Sequence, residues 1–323
     1  MISKNEWDPL LKVIVGVADN AKIPNIDVSV RTVNYADRTD KELQHIKPGL
    51  YPEQVITEAN EDLDTLCQTL KKESVEVLRP DRTNCDYYNY CPRDTVLHYK
   101  DISLASPMSL RVRKNEYKAF DQHLNNIKEV QYSHPDTLYN VECIGDKHQL
   151  ALHETEPAFD AANVLRADEK LLYLVSNSGN LAGAKLLKEI FNVEVCLMQD
   201  VYSYMHIDST VALLRDGLLL INPSRIKRNE DIPVQFRSWD KIVCPEPYDI
   251  GFYPGYCNSS PWINMNLFSI NPNLVVLEEH QHSLRKELEK YNIDCAMLPM
   301  RQARTLGGCF HCVTLDIERK HSK

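Results

Sequence analysis

The chain has 323 residues, of which 43% are hydrophobic and 26% charged, a composition typical of a folded globular protein. A net charge of -9 without a dense block of lysine and arginine argues against nucleic acid or an anionic membrane as the main partner. The first ten residues resemble no secretory signal, and no apolar run approaches the roughly 18 residues of a membrane span. We therefore expect a cytoplasmic protein.

Helix-like and strand-like segments alternate along the chain. Helical periodicity is clear in four segments and weaker in a fifth: 52–73, 116–130, 179–191 and 282–292, and more weakly 224–238. Short β-rich runs follow four of these segments, at 75–80, 193–200, 241–247 and 293–300. Strand pairs, or in the last case a single strand, are predicted at 94–106, 160–177, 206–222, 263–279 and 312–320.

This order of elements recurs five times with a period of about 60 residues, which is typical of repeat or propeller architecture. The last unit has one strand where the others have two. The N-terminal run 11–18 could supply the missing partner and close a ring with few exposed sheet edges. Because no linker rich in proline, glycine or serine divides the chain, we predict a single α/β domain spanning 1–323.

Polar residues begin the predicted hairpins at equivalent places: Asp94, Asp160, His206 with Asp208, Ser259 with Ser260, and Cys312. Pseudo-symmetry would bring them to one end of a central axis. His206 and Asp208, two apart on a predicted strand, are expected to share one face. His311 would then point away from its neighbour Cys312, so the predicted partner of that thiol is His206.

The ten cysteines lack the density of a disulfide scaffold, so most are expected to be reduced and buried. Cys309 and Cys312 raise three alternatives: a zinc clip, a redox pair or a single reactive thiolate. A zinc site would need a second pair of ligands with similar spacing, which the sequence lacks. A redox pair would need a helix to begin after the first cysteine. The single thiolate at Cys312 is therefore the favoured interpretation.

A thiol, an imidazole and at least two carboxylates around one cavity suit a planar cation. Paired aspartates match the forked N–H donors of a guanidinium group, and the bound cation would favour the thiolate form of cysteine. The thiolate can attack an electron-poor carbon, and the imidazole can protonate a departing amine.

The sequence resembles the amidinotransferases, notably the arginine:glycine enzymes. The resemblance covers essentially the whole chain and is carried by the motifs "MHIDST" (205–210), "NPSR" (222–225), "EPAFDAANVLRA" (156–167), "ISLASPMSLRVRKNEY" (102–117) and "LGGCFHCVTLDI" (306–317). It implies the five-bladed, pseudo-fivefold β/α propeller called the pentein fold, without metal or organic cofactor. It also implies ping-pong transfer of the amidino group of L-arginine to a primary amine through an amidino-cysteine, with release of ornithine.

The resemblance also implies roles for residues matched motif by motif. Cys312 resembles the nucleophile, His206 the general acid and base, and Asp160 the carboxylate that supports His206 and holds the guanidinium. The implied substrate-binding residues are Asp208, Arg225, Asp94, Ser260, Met205 and Ser203, with Arg225 on the donor carboxylate. The sequence departs from the glycine-using enzymes at Cys309, where they have a third glycine, and at Ser203, where they have asparagine.

Two other functions are compatible with the sequence. A hydrolase of the same superfamily, acting on arginine or dimethylarginine, would use the same groups with water as the acceptor. A propeller that serves only as a binding scaffold would not need the intact set of thiol, imidazole and carboxylates. The expected partners are small-molecule substrates, with a homodimer as one compatible assembly.

Overall fold

The structure is a computed structural model that describes residues 1–81, 85–146, 148–201 and 205–321. Five small sheets, here called blades 1 to 5 in the order of their hairpins, make up most of its β-structure. Their strands are Val96–Tyr99 and Ile102–Ala105 in blade 1; Val164–Ala167, Lys170–Leu174 and Glu194–Met198 in blade 2; Val211–Arg215, Leu218–Ile221 and Asp240–Val243 in blade 3; Phe268–Asn271, Leu274–Glu278 and Asp294–Leu298 in blade 4; and Thr314–Arg319, Leu10–Val15 and Glu76–Leu78 in blade 5.

The blades share one topology. In blades 2 to 5 an antiparallel pair of strands is extended by a third strand that runs parallel to the middle one. In blade 1 the antiparallel pair is extended only by a parallel bridge between Leu104 and Lys128. Strands Lys22–Ile23 and Gly49–Leu50 form a separate small pair. The predicted fivefold repeat is therefore confirmed.

Blade 5 joins the two ends of the described chain. Strand Leu10–Val15 pairs antiparallel with Thr314–Arg319, with Val13 opposite Asp316 and Val15 opposite Thr314. The predicted closure of the last unit by the N-terminal strand is confirmed. This pairing places the segment around Cys312 directly before an edge strand that pairs with the central strand Leu10–Val15.

Helices pack against the blades and connect their strands. The α-helices are Val28–Val33, Asp40–Leu43, Glu53–Lys72, Pro92–Thr95, Leu181–Phe191, His282–Glu289 and Ala303–Leu306. Glu53–Lys72 buries Val55, Ala59, Leu63 and Leu66 along one face, as the helical period requires. Asn180 caps Leu181–Phe191 by accepting a hydrogen bond from the Gly183 amide.

Two sequence predictions of α-helix were wrong. Within 116–130 the structure has a 3-10 helix at Glu116–His123, where the buried Tyr117 and Phe120 are three residues apart, as the tighter helix favours. The weaker candidate 224–238 contains only single 3-10 turns. The 3-10 helices are Arg111–Arg113, Glu116–His123, Asp136–Leu138, Val141–Cys143, Ala161–Asn163, Ile207–Ser209, Asn229–Asp231, Val234–Phe236 and Pro261–Met265.

A buried ionic cluster ties blade 5 to its neighbours. Arg166 of blade 2 donates hydrogen bonds to Glu6 at 2.6 Å and to Asp316 of blade 5 at 2.7 Å. Arg93, just before blade 1, donates to the same Asp316 carboxylate at 2.6 Å. Burial opposes ionisation of Asp316, but the nearby guanidinium groups hold its pKa well below its usual range. Removing one partner would leave a buried charge without its counter-ion, which is energetically costly. The cluster therefore holds the blades in fixed positions relative to one another.

In the ranges that the structure describes, no helix combines the length and apolar character needed to cross a bilayer.

Candidate active site

Short helical turns place polar side chains before the hairpins. Asp94 lies in the turn before blade 1, and Asp160 begins the turn before blade 2. His206 and Ser260 begin the turns before blades 3 and 4. Cys312 lies in the turn 310–313 before blade 5. The equivalent positions predicted from the sequence are thus brought together by equivalent turns.

These turns surround one cavity of about 490 Å³. Of the residues proposed from the sequence, its lining includes Asp94, Met205, His206, Asp208, Arg225, Ser259, Ser260 and Cys312. Asp160 lies one layer deeper, fully buried behind His206. Ser203 lies outside the described residues.

His206 and Asp208 do not lie on a strand, as the sequence pattern had predicted. Ile207–Ser209 forms a 3-10 turn, and the strand begins only at Val211. The buried Ile207 side chain packs into an apolar cluster while its two neighbours face the cavity. His206 and Asp208 share one side of the chain, as predicted, but they do so because of this turn and not because of the alternation of side chains along a strand.

His206 lies between two carboxylates. Its Nε2 is 3.0 Å from Asp160 Oδ2, and its Nδ1 is 3.7 Å from Asp94 Oδ1. The other oxygen of Asp160 accepts hydrogen bonds from the amide and hydroxyl of Ser109 at 3.1 and 2.9 Å. Burial lowers the pKa of His206, but the Asp94 charge and the Asp160 hydrogen bond outweigh it and raise that pKa well above its usual value. The protonated form of the imidazole is therefore favoured.

The Cys312 thiol is close to groups from blades 3 and 4. Its Sγ is 3.2 Å from Asp208 Oδ2 and 3.2 Å from Asn266 Nδ2. A hydrogen bond with the Cys91 thiol, then burial, then the Asp208 charge raise the pKa of Cys312 well above its usual value. These effects favour the neutral thiol, although a hydrogen bond with His206 opposes them.

The carboxylates of Asp94 and Asp208 make their side of the cavity suitable for a cation. Burial raises the pKa of Asp208, but the His311 hydrogen bond and charge outweigh it and hold that pKa at about 2. Burial raises the pKa of Asp94, although His206 and Arg113 oppose the increase. Among the described residues, Asp94 Oδ1 has no hydrogen-bond partner. A donor brought by a ligand would satisfy this oxygen.

Arg225 supplies a cationic group to the same cavity. Its Nη1 donates hydrogen bonds to the hydroxyls of Ser209 at 2.8 Å and Thr210 at 2.7 Å, which fix the guanidinium. Ser260 is exposed and Met205 is half-buried at the same lining. The cavity therefore combines an acidic wall with a fixed arginine.

Two groups of possible metal ligands occur among the described residues. In the described parts of the chain, the groups that could hold an ion are Asp94 with His206 and Cys312, and Glu278 with Glu279 and His280. Atoms of the first group lie within 4.8 Å of one another. Cys309 belongs to neither group and is not among the described residues that line the cavity. The two cysteines of the C-terminal motif therefore have different surroundings.

Three contributors were not found from the sequence. Asn266 Oδ1 accepts the amide protons of His311 at 2.9 Å and Cys312 at 3.1 Å. His311 does not point away, because its Nδ1 is 3.0 Å from Asp208 Oδ2. Arg113 donates to Asp94 Oδ2 at 2.8 Å. Only Asn266 had a sequence signal, since it lies two residues before its strand, as Asp94 and Cys312 do.

Comparisons with known proteins agree with this fold. No family model matches the chain. The chain is 40% identical to inosamine-phosphate amidinotransferase 1 of Streptomyces glaucescens, with 98% of this chain and 96% of that protein covered. It is 31% identical to the mitochondrial glycine amidinotransferase of Gallus gallus, with 98% and 82% covered.

Solved structures give the same answer. The inosamine-phosphate amidinotransferase StrB1 from Streptomyces griseus has a TM-score of 0.93 at 38% identity, with 99% of this chain and 97% of that chain covered. DDAH from Pseudomonas aeruginosa, with a TM-score of 0.61 at 12% identity and with 95% and 99% covered, shares the fold alone. The fold is the pentein propeller predicted from the sequence. The chain belongs to the amidinotransferase family, whose members transfer amidino groups between small molecules.

Proposed function

We propose that this enzyme moves the amidino group of L-arginine to an acceptor amine through a covalent amidino-cysteine on Cys312, with release of L-ornithine. The observation that carries the proposal is the cluster of Asp94, His206 and Cys312, whose ligand atoms lie within 4.8 Å of one another at the cavity. Asp208, 3.2 Å from the sulfur, adds a second carboxylate. Such a cluster matches a planar cation with an electrophilic carbon.

Donor binding comes first. The guanidinium lies against Asp94 and Asp208, where it donates a hydrogen bond to Asp94 Oδ1. Its charge offsets the Asp208 charge, one of the factors that raise the Cys312 pKa, so the substrate itself promotes the thiolate. Arg225, held by two hydroxyls at the lining, binds the α-carboxylate of the donor.

The first transfer follows from the position of the sulfur. Cys312 attacks the guanidinium carbon, so a carbon–sulfur bond forms while the bond from that carbon to the ornithine nitrogen breaks. His206, protonated because of its two carboxylate neighbours, gives its proton to the leaving nitrogen. Ornithine departs and leaves a neutral imidazole beside the amidino-cysteine.

The second transfer reverses these roles. The acceptor amine gives a proton to His206, its nitrogen attacks the amidino carbon, and the carbon–sulfur bond breaks to restore the thiolate. Water at this stage would give urea instead, so the acceptor must exclude water from the intermediate. Relatives are named for inosamine phosphate and for glycine, which makes both kinds of amine candidates for the acceptor here.

The proposal is tested by supplying arginine with and without a panel of amines: glycine, lysine and a phosphorylated aminocyclitol. We expect ornithine, a peptide containing Cys312 that carries one amidino group, and a new guanidino compound with one of the amines. Citrulline and ammonia as the main products would instead support the hydrolase. Failure to form any adduct on Cys312 would contradict covalent transfer.

Asn266 is expected to position the Cys312 thiol and favour its ionised form. Its amide donates to the sulfur at 3.2 Å, while its carbonyl oxygen holds the Cys312 amide. Asn266→Asp replaces this donor with a charge that opposes the thiolate. We expect alkylation of Cys312 by iodoacetamide at pH 8, followed by peptide mass spectrometry, to slow by about tenfold, equivalent to about one pKa unit.

The matched control is Asn264→Asp. Asn264 is also buried in the turn Pro261–Met265, but its amide donates to the Tyr248 carbonyl oxygen. Equal alkylation rates in the two variants would show that Asn266 has only a structural role.

A further inference from the structure

A second thiol lies beside Cys312, and the proposed transfer does not use it. Cys91 is buried just before the turn Pro92–Thr95, which carries Asp94. The Cys91 thiol raises the pKa of Cys312, and the Cys312 thiol opposes the increase that burial causes in the pKa of Cys91. The backbone also holds the two segments together, since the Arg93 amide is 3.4 Å from the Cys312 carbonyl oxygen.

Gly308 provides the space in which the two cysteines meet. A Cβ atom at this position would lie 2.5 Å from Cys91 Sγ and 3.1 Å from Cys312 Cβ, and both distances are too short for an ordinary contact. The absence of a side chain at Gly308 therefore lets Cys91 pack directly against the turn that carries Cys312. This packing gives a physical reason for the second glycine of the "GGCFHC" motif.

Cys309, although it completes the Cys-x-x-Cys spacing, is placed differently. It belongs to the same buried apolar cluster as Cys91 and Cys312, but unlike Cys312 it is not among the described residues that line the cavity. The sulfur that the fold brings to Cys312 thus comes from a segment 221 residues earlier in the chain. The Cys-x-x-Cys spacing does not indicate Cys91.

We propose that Cys91 and Cys312 form a reversible disulfide when a hydroperoxide enters the cavity, with Cys91 as the resolving thiol. Cys312 lines a cavity large enough to admit a small hydroperoxide, whereas Cys91 is buried and is not among the described residues that line that cavity. The inference relies on the proposed function only in treating Cys312 as the more reactive of the two thiols.

The disulfide between Cys91 and Cys312 forms in two steps. The Cys312 thiol loses its proton to water, the thiolate attacks one peroxide oxygen, the oxygen–oxygen bond breaks, and the other oxygen leaves as an alcohol or water after taking a proton. Cys312 is now a sulfenic acid, oxidised by two electrons while the hydroperoxide is reduced. Cys91 then attacks this sulfur, the sulfur–oxygen bond breaks, water leaves, and a disulfide forms. Without Cys91, a second hydroperoxide converts the sulfenic acid to sulfinic acid, which common thiol reductants do not reverse.

The experiment compares the full chain with Cys91→Ala and with Cys309→Ala as the matched control. Each is treated with hydrogen peroxide and then with dithiothreitol. Ornithine release is measured relative to the untreated sample of the same variant, and unreduced peptides are analysed by mass spectrometry. For the parent protein and Cys309→Ala we expect a linked pair of peptides containing Cys91 and Cys312, and recovery of the starting rate on reduction. For Cys91→Ala we expect lasting loss of the rate and sulfinic acid on Cys312.

Two outcomes would overturn the inference: a disulfide that joins Cys309 to Cys312, or recovery of Cys91→Ala as complete as that of the parent protein. If Cys91→Ala does not fold, Cys91→Ser keeps the comparison possible. Because the disulfide is detected by mass, the result also stands apart from the proposed function. A linked Cys91–Cys312 pair in a protein that releases no ornithine would contradict the transferase proposal alone.

Discussion

Cys312→Ala is expected to reduce ornithine release from arginine by at least about 10⁴-fold, as removal of a covalent nucleophile does in other enzymes. The thiol lies 3.2 Å from Asp208 and lines the cavity with His206, so no other described sulfur takes its position beside both groups. Rates measured with saturating arginine and an active acceptor, together with peptide mass spectra, would check the loss of both turnover and adduct.

Cys309→Ala is the matched control for this change. It removes the other thiol of the same motif from an apolar environment, and most of the activity should remain. Circular dichroism and thermal melting should show both variants folded. Equal loss of activity in the two variants would refute a single nucleophile and restore the two-cysteine alternative raised by the motif.

Asp160→Asn is expected to lower kcat by about 10² to 10⁴-fold at neutral pH, the range associated with general acid catalysis. The pH profile should change in a defined direction. Burial lowers the pKa of His206, while Asp94 and Asp160 together raise it well above the usual value. Removing the Asp160 charge therefore lowers this pKa. Because the protonated imidazole is the active form in the first transfer, kcat should decline at a lower pH in the variant than in the parent protein.

The exposed Asp101, at the turn of the blade 1 hairpin, offers Asp101→Asn as a control for the same chemical change. It should leave both kcat and the pH profile unaltered. If kcat of Asp160→Asn were lower by the same factor at every pH, its decline at high pH would occur at the same pH as in the parent protein. That result would mean that Asp160 does not act through the His206 proton.

Much of the fold was predictable because each blade carries its own local signals. The apolar runs 164–175 and 211–221 identify hairpins without reference to distant residues, and the fivefold order then indicates how the ends must meet. The segment 116–130 was mispredicted because helical periodicity competes there with a tertiary contact. Glu116 is drawn inward by Arg113 at 2.8 Å, and the chain takes a left-handed conformation at Asn126.

The candidate site was predictable to the extent that pseudo-symmetry determines it. Asp94, His206, Asp208 and Cys312 occupy equivalent turns, so one repeat pattern indicates that they share a cavity. The depth of each side chain was not predictable, which is why Asp160 was expected to touch the guanidinium but lies behind His206. The contacts of Asn266 and Cys91 with Cys312 depend on how turns from different blades pack, and no local pattern encodes that packing.

The pairing of Leu10–Val15 with Thr314–Arg319 has a consequence for biosynthesis. During translation, His206 and the carboxylates leave the ribosome well before the sulfur, which precedes the final described strand by two residues. That strand must then pair with Leu10–Val15, which the ribosome released much earlier. Cys312 therefore reaches its final surroundings only after these two distant segments have met.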